Sequence, residues 1–235
     1  MPWKEGNLIM RINVIQHTPN EGPGAIADWA HEHGHQLYIY HPVHFDCGLP
    51  TAAETDLLVI LGGPMSVNDK DEWILEERAL IAKMMEVHKP VFGVCFGMQQ
   101  IAITIGGEVS SGPKEAGWGM VEKTSNVIPE IPVALTALHW HAEQCHFPPY
   151  IAREITTLFS SEYTENQGIL VGDNVIGLQF HFETLADNVR EIVINDKGYL
   201  QGSEFKQYPD EVMAYPVPPA NKQTLFKFLD FITHK

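Results

Sequence analysis

The sequence predicts an α/β fold, a three-layer arrangement in which helices cover both faces of a mostly parallel sheet and antiparallel strands are added to the same sheet. Two observations support this prediction. Continuous apolar runs such as residues 56–61 are typical of strands that are buried on both faces of a parallel sheet. Up to Gly107 these runs alternate with segments whose apolar residues recur at helical spacing, which is the order of elements in α/β proteins. After Gly107 the apolar segments are shorter and resemble strands.

Strands and helices alternate through the first half of the chain. Strands are predicted where long apolar and β-branched residues follow one another, and helices where apolar residues recur every three or four positions and a glycine follows. These patterns give strands over 8–15, 37–40, 56–61 and 90–95, and helices over 25–32, 71–87 and 96–105. The strands are therefore expected to be joined by helical crossovers.

The second half is predicted to contribute antiparallel strands. β-like runs cover 117–123 and 133–139, and a hairpin signal covers 168–180 with its turn at Asp173-Asn174. Antiparallel addition to the parallel sheet is the simplest interpretation of these runs.

The C-terminal part is predicted to hold two helices and a long loop. Thr184, with Asp187 three residues later, is predicted to cap the first helix. Residues 196–220 contain several prolines and glycines and are expected to form a loop, after which an amphipathic helix covers 221–234. Residues 8–235 are predicted to be a single domain, with residues 1–9 as a tail.

Composition and charge exclude several classes of function. The chain has 235 residues, and its 15 basic and 30 acidic side chains give a net charge of −15 at pH 7. Such a charge repels phosphate backbones and anionic lipid, so neither nucleic acid nor a membrane is expected as a partner. No apolar run reaches the roughly 20 residues of a membrane-spanning helix, and no signal peptide is recognised at the N-terminus, so a cytoplasmic location is expected.

The cysteines agree with a reducing compartment. Cys47, Cys95 and Cys145 are odd in number and far apart, which matches neither a disulfide framework nor paired metal ligands. Cys95 differs from the other two because it is predicted to lie on a tight turn between a buried strand and a helix, flanked by glycines in the segment Gly93-Val94-Cys95-Phe96-Gly97. A helix N-terminus favours a thiolate there, and ligands bind beyond the carboxyl ends of parallel strands. A buried structural cysteine is the alternative interpretation.

A nucleophilic thiol needs a base, a group that orients the base, and donors for a developing oxyanion. His181 and Glu183 are two positions apart on an extended segment, so they can share a face, with Glu183 holding the imidazole. Gly62-Gly63 at the end of a strand allows a backbone N–H to approach an oxyanion without a side chain in the way. A polar strand end and a simple turn would explain the same residues without catalysis.

Three segments resemble the signature blocks of class I glutamine amidotransferases. They are Gly-Gly-Pro-Met-Ser-Val at 62–67, Gly-Val-Cys-Phe-Gly-Met-Gln at 93–99 and Gly-Leu-Gln-Phe-His-Phe-Glu at 177–183, and their order and spacing agree with that family. The resemblance extends from about Ile12 to Ala186 and is greatest to stand-alone members similar to the glutaminase part of GMP synthase. It implies a flavodoxin-like glutamine amidotransferase domain.

The resemblance implies a role for each matching residue. Cys95 would attack the glutamine side-chain amide and form a γ-glutamyl thioester, His181 would act as base and then as acid, and Glu183 would orient His181. The other implied residues are the oxyanion donors Gly63 and Phe96 and the substrate-binding residues Gly62, Gln99, Trp140 and His141. The segment around Trp140 and His141 resembles the family's His-Gly-Asp or His-Gly-Phe segment, with Ala142 in place of glycine, so the local backbone or the pocket width is expected to differ.

Neither a metal nor another cofactor is expected. Two histidine clusters, His139 with His141 and residues 31–35, have no cysteine or carboxylate at ligand spacing and are interpreted as structural.

The sequence is compatible with three functional hypotheses. Too few residues follow Glu183 for a synthetase domain, and no phosphate-binding loop for ATP is present, so a glutaminase would pass ammonia to a separate synthase subunit. A self-sufficient γ-glutamyl peptide or amide hydrolase is the second hypothesis, and a non-catalytic regulatory protein on the same fold is the third. Besides the small-molecule substrate, a synthase subunit and a second copy of the chain are considered as partners.

Overall fold

The computed structural model describes residues 8–45 and 48–233, whose strands form one mixed sheet with helices on both faces. The strands are β1 Arg11–Ile15, β2 Gln36–Tyr40, β3 Leu57–Ile60, β4 Val91–Val94, β5 Glu108–Lys123, β6 Ala134–His146, β7 Ile155–Ser160, β8 Gly168–Val171 and β9 Val175–Leu178. The helices are α1 Ala25–Glu32, α2 Pro42–Phe45, α3 Glu72–Glu86, α4 Phe96–Thr104, α5 Ala186–Asn195, α6 Pro209–Ala214 and α7 Pro219–Thr233. Within these residues, no helix is long and apolar enough to cross a membrane.

The sheet has a parallel half and an antiparallel half. Its strand order is β2-β1-β3-β4-β9-β8-β7-β5-β6, in which the strands from β2 to β9 pair in parallel and those from β9 to β6 pair antiparallel. This arrangement confirms the predicted α/β class with antiparallel additions. The hairpin β8–β9 joins the two halves, since β9 is parallel to β4 on one side and antiparallel to β8 on the other.

Alternation along the parallel strands separates two hydrophobic cores. In β3, Leu57 and Val59 belong to the core under α1 and α7, whereas Leu58 and Ile60 belong to the core under α3 and α4. All four side chains are fully buried, which explains the continuous apolar run in the sequence. The three-layer prediction is therefore confirmed.

The C-terminal segment differs most from the sequence prediction. Residues 196–220 are not a plain loop, because they contain a short 3₁₀ turn over Lys197–Leu200 and the helix α6. Two polar side chains of this segment form hydrogen bonds with the backbone of β5, as a neighbouring strand would. Gln207 accepts from Trp118 N at 2.8 Å and donates to Trp118 O at 2.8 Å, and Ser203 makes the same pair of bonds to Ala116 at 3.0 and 2.7 Å.

Two further local predictions are corrected. β7 was not predicted, and it is recognisable only through its pairing with β5 and β8. Helix α5 begins after Leu185 rather than Thr184, and Leu185 N donates to the side chain of Asn188 at 2.9 Å, so Asn188 takes the capping role predicted for Asp187. The first seven residues of the predicted tail, Cys47 and the last residue of the predicted C-terminal helix lie outside the described residues, and the single-domain assignment stays a prediction.

Candidate active site

Cys95 lies on a strained turn at the carboxyl edge of the parallel half of the sheet. It connects β4 to α4 with φ 51° and ψ −107°, a conformation that L-residues rarely adopt and that is typical of a nucleophile held above a sheet. Its N–H donates to Leu178 O at 2.7 Å, which ties the turn to β9. The thiol is 6% exposed and faces Trp140 O at 3.8 Å and Gln179 Nε2 at 3.6 Å.

The two glycines beside Cys95 are required by close packing. A Cβ on Gly97 would overlap the carbonyl of Ile60, and a Cβ on Gly93 would lie 2.6 Å from the Gly97 carbonyl carbon. Because no side chain fits at either position, α4 approaches β3 and β4 closely enough to form the turn.

Substituting Gly97 should destabilise the protein and disturb the turn. Gly97→Ala is expected to lower the free energy of unfolding by about 1–3 kcal/mol, since the added methyl group overpacks the contact between α4 and β3. Urea unfolding measures this loss. Gly198→Ala is the matched control, because a Cβ there has no atom within 4 Å and the glycine has no positive φ. Equal stability of the two variants would contradict this explanation of the glycine.

His181 and Glu183 form a buried hydrogen-bonded pair just beyond β9. His181 Nδ1 and Glu183 Oε1 are 2.7 Å apart, and the His181 N–H donates to Leu138 O at 2.8 Å. Because Nδ1 pairs with the carboxylate, Nε2 is the ring nitrogen left for chemistry, and the Cys95 thiol is the neighbouring group that interacts with the ring. Burial alone would disfavour the charged ring, but the Glu183 carboxylate and hydrogen bonding to Cys95 and Glu183 raise the pKa of His181 well above its ordinary value.

A cavity of about 490 Å³ opens at Cys95 on this edge of the sheet. The predicted residues that line it are Gly63, Cys95, Gln99, Trp140 and His141. Gly62, Phe96, His181 and Glu183 are not among its lining residues, and all four are buried.

Two backbone N–H groups are candidates for an oxyanion hole. Gly63 follows β3 and Phe96 is the first residue of α4, so each N–H lies at the carboxyl end of a parallel strand. Neither N–H donates to a protein acceptor among the described residues. Free donors at a helix N-terminus and at a glycine turn suit a developing negative charge.

The predicted substrate-binding residues occupy different positions. Gln99 donates to Gln179 Oε1 at 3.3 Å, and the Trp140 ring stacks on Tyr199 with 5.6 Å between ring centroids. His141 is 2% exposed and its Nδ1 lies 3.1 Å from Glu143 O, so most of this ring faces the protein. The Gly62 carbonyl points to His17 rather than into the cavity. Ala142 lies in β6 without a positive φ, so the local backbone is extended there.

His17 is a buried residue that the sequence analysis missed. Its Nδ1 lies 3.1 Å from Gly62 O and its Nε2 lies 2.9 Å from Glu77 Oε2, while Gln100 Nε2 donates to the other Glu77 oxygen at 2.8 Å. Burial opposes protonation of this ring, but the Glu77 carboxylate raises the pKa of His17 above its ordinary value. The sequence contains one signal for His17, which is a polar residue shortly after β1. Because β1 and β3 are neighbouring parallel strands, their carboxyl ends meet, and His17 therefore lies beside the turn after β3.

Three carboxylates at the cavity were also missed. Glu21, Glu143 and Asp196 line it, and they come from three distant segments of the chain. Asp196 Oδ2 accepts from the Trp140 indole at 3.4 Å, and Glu143 Oε1 accepts from Ser66 Oγ at 2.8 Å. No local sequence pattern links these segments, so only the fold brings the charges together.

The interpretation of His139 and His141 needs one correction. A carboxylate does accompany them, because Glu115 contributes an oxygen to a buried group whose candidate ligand atoms all lie within 4.8 Å of one another. Ser161 and Gln167 donate to Glu115 at 2.7 Å each, and Gln167 Nε2 lies 3.4 Å from a nitrogen of each histidine. Burial lowers the pKa of His141 to about 3, so this ring is neutral. Hydrogen bonds connect the members of the cluster, while His139 Nε2 and Gln167 Oε1 have no partner among the described residues. The absence of a metal stays a prediction that elemental analysis of the purified protein tests.

The fold and the site define a class of protein. It is an α/β protein with a cysteine on the turn after a central parallel strand, a buried histidine–glutamate pair after the next strand, and a cavity at the same edge. Residues 32–197 match the family described as glutamine amidotransferase class-I. The chain therefore belongs to the class I glutamine amidotransferase family, which confirms the resemblance of the three signature blocks.

Individual relatives agree with this family. The chain is 28% identical to a glutamine amidotransferase-like protein of Salmonella typhimurium, YfeJ, over 95% of this chain and 98% of that protein. It is 30% identical over 131 residues to the GMP synthase of Helicobacter pylori, where the match covers 54% of this chain and 24% of the synthase. The crystal structure of a glutamine amidotransferase from Thermotoga maritima superposes with a TM-score of 0.83 at 28% identity, covering 97% of this chain and 100% of that one.

Proposed function

We propose that the protein hydrolyses the side-chain amide of glutamine to glutamate and ammonia through a covalent intermediate on Cys95. The observation that carries this proposal is the position of Cys95 on a strained turn beside the buried His181–Glu183 pair. A thiolate on such a turn projects from the sheet edge toward the cavity, and a base held by a carboxylate is already oriented for proton transfer.

The proposed reaction has two halves. The Cys95 thiolate attacks the amide carbon and forms a C–S bond, while Gly63 N–H and Phe96 N–H bind the oxygen that becomes negative. The C–N bond then breaks, and the leaving nitrogen takes a proton from His181. A water molecule, deprotonated by His181, attacks the thioester and releases glutamate and the free thiol. Glu183 stabilises the imidazolium that is present when His181 carries the proton.

A glutamine-analogue electrophile tests the nucleophile directly. Incubation with a diazo-ketone or chloroketone analogue should give one adduct per chain, which peptide mapping by mass spectrometry should locate at Cys95. Cys145 is an internal control, since burial raises the pKa of its thiol and keeps it unreactive. A folded protein without an adduct at Cys95 would refute the proposal.

The destination of the leaving group distinguishes the two enzymatic hypotheses. The match to part of a GMP synthase supports a glutaminase that passes ammonia to a synthase partner. The cavity volume of about 490 Å³ favours the second hypothesis, because pockets of this size take ligands larger than one amino acid. Ammonia release from glutamine and glutamate release from γ-glutamyl amides should be compared on the isolated chain. Faster turnover of the amides would contradict a partner-dependent glutaminase and support a self-sufficient γ-glutamyl hydrolase.

The same chemistry requires a reduced thiol. Cys95 has no disulfide partner among the described residues, and neither has Cys145. The proposed reaction therefore fits the cytoplasmic location expected from the sequence.

A further inference from the structure

The cavity at Cys95 carries charge of one sign. Its charged lining residues are Glu21, Glu143 and Asp196, and none of the described residues that line it is a lysine or arginine. Glutamine has one ammonium and one carboxylate and is neutral overall. Three carboxylates without a basic side chain therefore exceed what a neutral amino acid requires, and they disfavour any substrate with additional negative charge.

The three carboxylates act on the same part of the cavity. Tyr199 is stacked on Trp140, and burial, together with the nearby carboxylates of Asp196, Glu143 and Glu21, raises its pKa. Tyr199 and the three carboxylates line the same cavity. A low-dielectric wall of aromatic rings strengthens the attraction of such a site for a cation.

Glu21 lies beside His181 at the Gly62 end of the cavity. A Cβ built on Gly62 would meet both the Glu21 carboxylate and His181 Cε1, the latter at 3.2 Å, so the carboxylate and the imidazole approach the same glycine. Burial raises the pKa of the Glu21 carboxyl, whereas the nearby His181 and His17 rings lower it, so a positive charge in this part of the cavity favours its ionised form. In the proposed reaction His181 gives its proton to the leaving nitrogen, and a carboxylate beside it is suited to a cationic leaving group.

We propose that the substrate is a γ-glutamyl amide whose amine portion carries a positive charge. This inference rests on the proposed covalent reaction at Cys95 and replaces the ammonia of glutamine by a larger, cationic amine as the leaving group. Cys95 forms the bond to the γ-carbonyl carbon, the amide C–N bond breaks, and the amine departs with a proton from His181 while its distal ammonium faces the carboxylates. Water then converts the thioester to glutamate and the thiol, as with glutamine.

Three γ-glutamyl amides of similar length test the charge preference. Their amine portions are diaminobutane, which is cationic, n-pentylamine, which is neutral, and γ-aminobutyrate, which is anionic. The expected order of kcat/KM is cationic, then neutral, then anionic, with about tenfold or more between the first two, as one charge-assisted hydrogen bond provides. The preference should decrease as ionic strength rises.

Substitutions assign the preference to the cavity. Glu21→Gln and Asp196→Asn should each reduce the ratio of kcat/KM for the cationic amide to that for the neutral amide. The control is Glu76→Gln, an exposed carboxylate on α3, which should leave the ratio unchanged. Equal turnover of the three amides, or faster turnover of the anionic one, would overturn the charge inference. If a folded protein instead releases nothing from glutamine or from any amide, the proposed function itself fails.

A second and independent observation concerns the oxyanion hole. The Gly62 carbonyl that faces His17 belongs to the same peptide unit as the Gly63 N–H. The peptide is planar and trans, so its C=O and N–H point in opposite directions. Fixing the carbonyl on the His17 side therefore directs the N–H to the opposite side, where Gly63 lines the cavity. The His17 ring also packs edge-on against Phe96 with 4.9 Å between centroids.

We infer that His17, held by Glu77, is a positioning residue for both oxyanion donors. His17 touches neither the cavity nor the thiol, so its effect passes through the Gly62–Gly63 peptide and through Phe96. Glu77 fixes the ring, and the buried pair is itself fully hydrogen-bonded.

Two variants and two rate measurements test this role. His17→Leu combined with Glu77→Gln removes the hydrogen bond to Gly62 without leaving a buried unpaired charge, and it should lower kcat about tenfold or more with little change in KM, as misplaced oxyanion donors do. His17→Asn should recover part of kcat, because its amide can donate to Gly62 O. Alkylation of Cys95 by iodoacetamide needs no oxyanion hole and should keep its rate. A parallel fall in alkylation, or an unchanged kcat in the double variant, would overturn the inference.

Discussion

Replacing Cys95 with serine should abolish turnover while the fold persists. Serine has nearly the same shape and can occupy the turn at φ 51°, but its hydroxyl is a far weaker nucleophile without a dedicated activating geometry. We expect kcat for glutamine, or for a γ-glutamyl amide, to fall by at least about a thousandfold. Ammonia or glutamate release measures the loss, and circular dichroism with urea unfolding measures the fold.

Cys145→Ser provides the matched control for this experiment. Cys145 is 2% exposed and lies in β6, where its thiol contacts Gln179 but does not line the cavity. Its substitution should leave most of the activity. Wild-type activity of Cys95→Ser would show that the nucleophile is misassigned.

Glu183→Gln should produce the second largest loss. The carboxylate holds His181 Nδ1 at 2.7 Å and stabilises the imidazolium, and an amide of the same shape does neither as well. A loss of about 10²–10⁴-fold in kcat is expected, by analogy with other histidine–carboxylate pairs. Asp187→Asn removes an exposed carboxylate four residues away and should change kcat little. A Glu183→Gln variant with wild-type kcat would contradict the orienting role.

The same substitution should shift the pH profile in a defined direction. The charge of Glu183 raises the pKa of His181, so the protonated ring persists in the wild-type protein well above pH 6.5. Since leaving-group protonation needs that proton, the alkaline decline of kcat should lie well above pH 6.5 in the wild type and at lower pH in Glu183→Gln. A decline at the same pH in both proteins would contradict this assignment.

Stability should depend on pH in the same sense. The folded state raises the pKa of His181, so it binds this proton more tightly than the unfolded chain does. The resulting stabilisation is fully present below the unfolded pKa of about 6.5 and is lost as pH rises through the higher folded value. Urea unfolding of the wild type and of Glu183→Gln over this range measures the difference.

Much of the parallel half could be predicted because its signals are local. β3 and β4 are continuous apolar runs, α1 has the predicted bounds, and the glycines beside Cys95 mark the turn in the sequence itself. The fold of this half places the ends of its strands at one edge, so the candidate residues were expected to converge there.

What could not be predicted depends on distant contacts. β7 forms through pairing with β5 and β8, and α6 packs where Ser203 and Gln207 attach their segment to β5. Glu115 joins His139 and His141 only after β5 and β6 pair. The acidic residues that line the cavity likewise come from segments with no common pattern. The sequence therefore predicted the candidate reacting residues but not the negative charges around them.

Trapping of the covalent intermediate tests directly whether Cys95 is the nucleophile that forms the γ-glutamyl thioester. The wild-type protein should be mixed with substrate, quenched in acid within its first turnovers, and analysed by intact-mass and peptide mass spectrometry. We expect a mass increase of one glutamyl group on the peptide that contains Cys95, and no such increase in Cys95→Ser. Product release by the wild type with no such adduct, or with the glutamyl group on another residue, would contradict it.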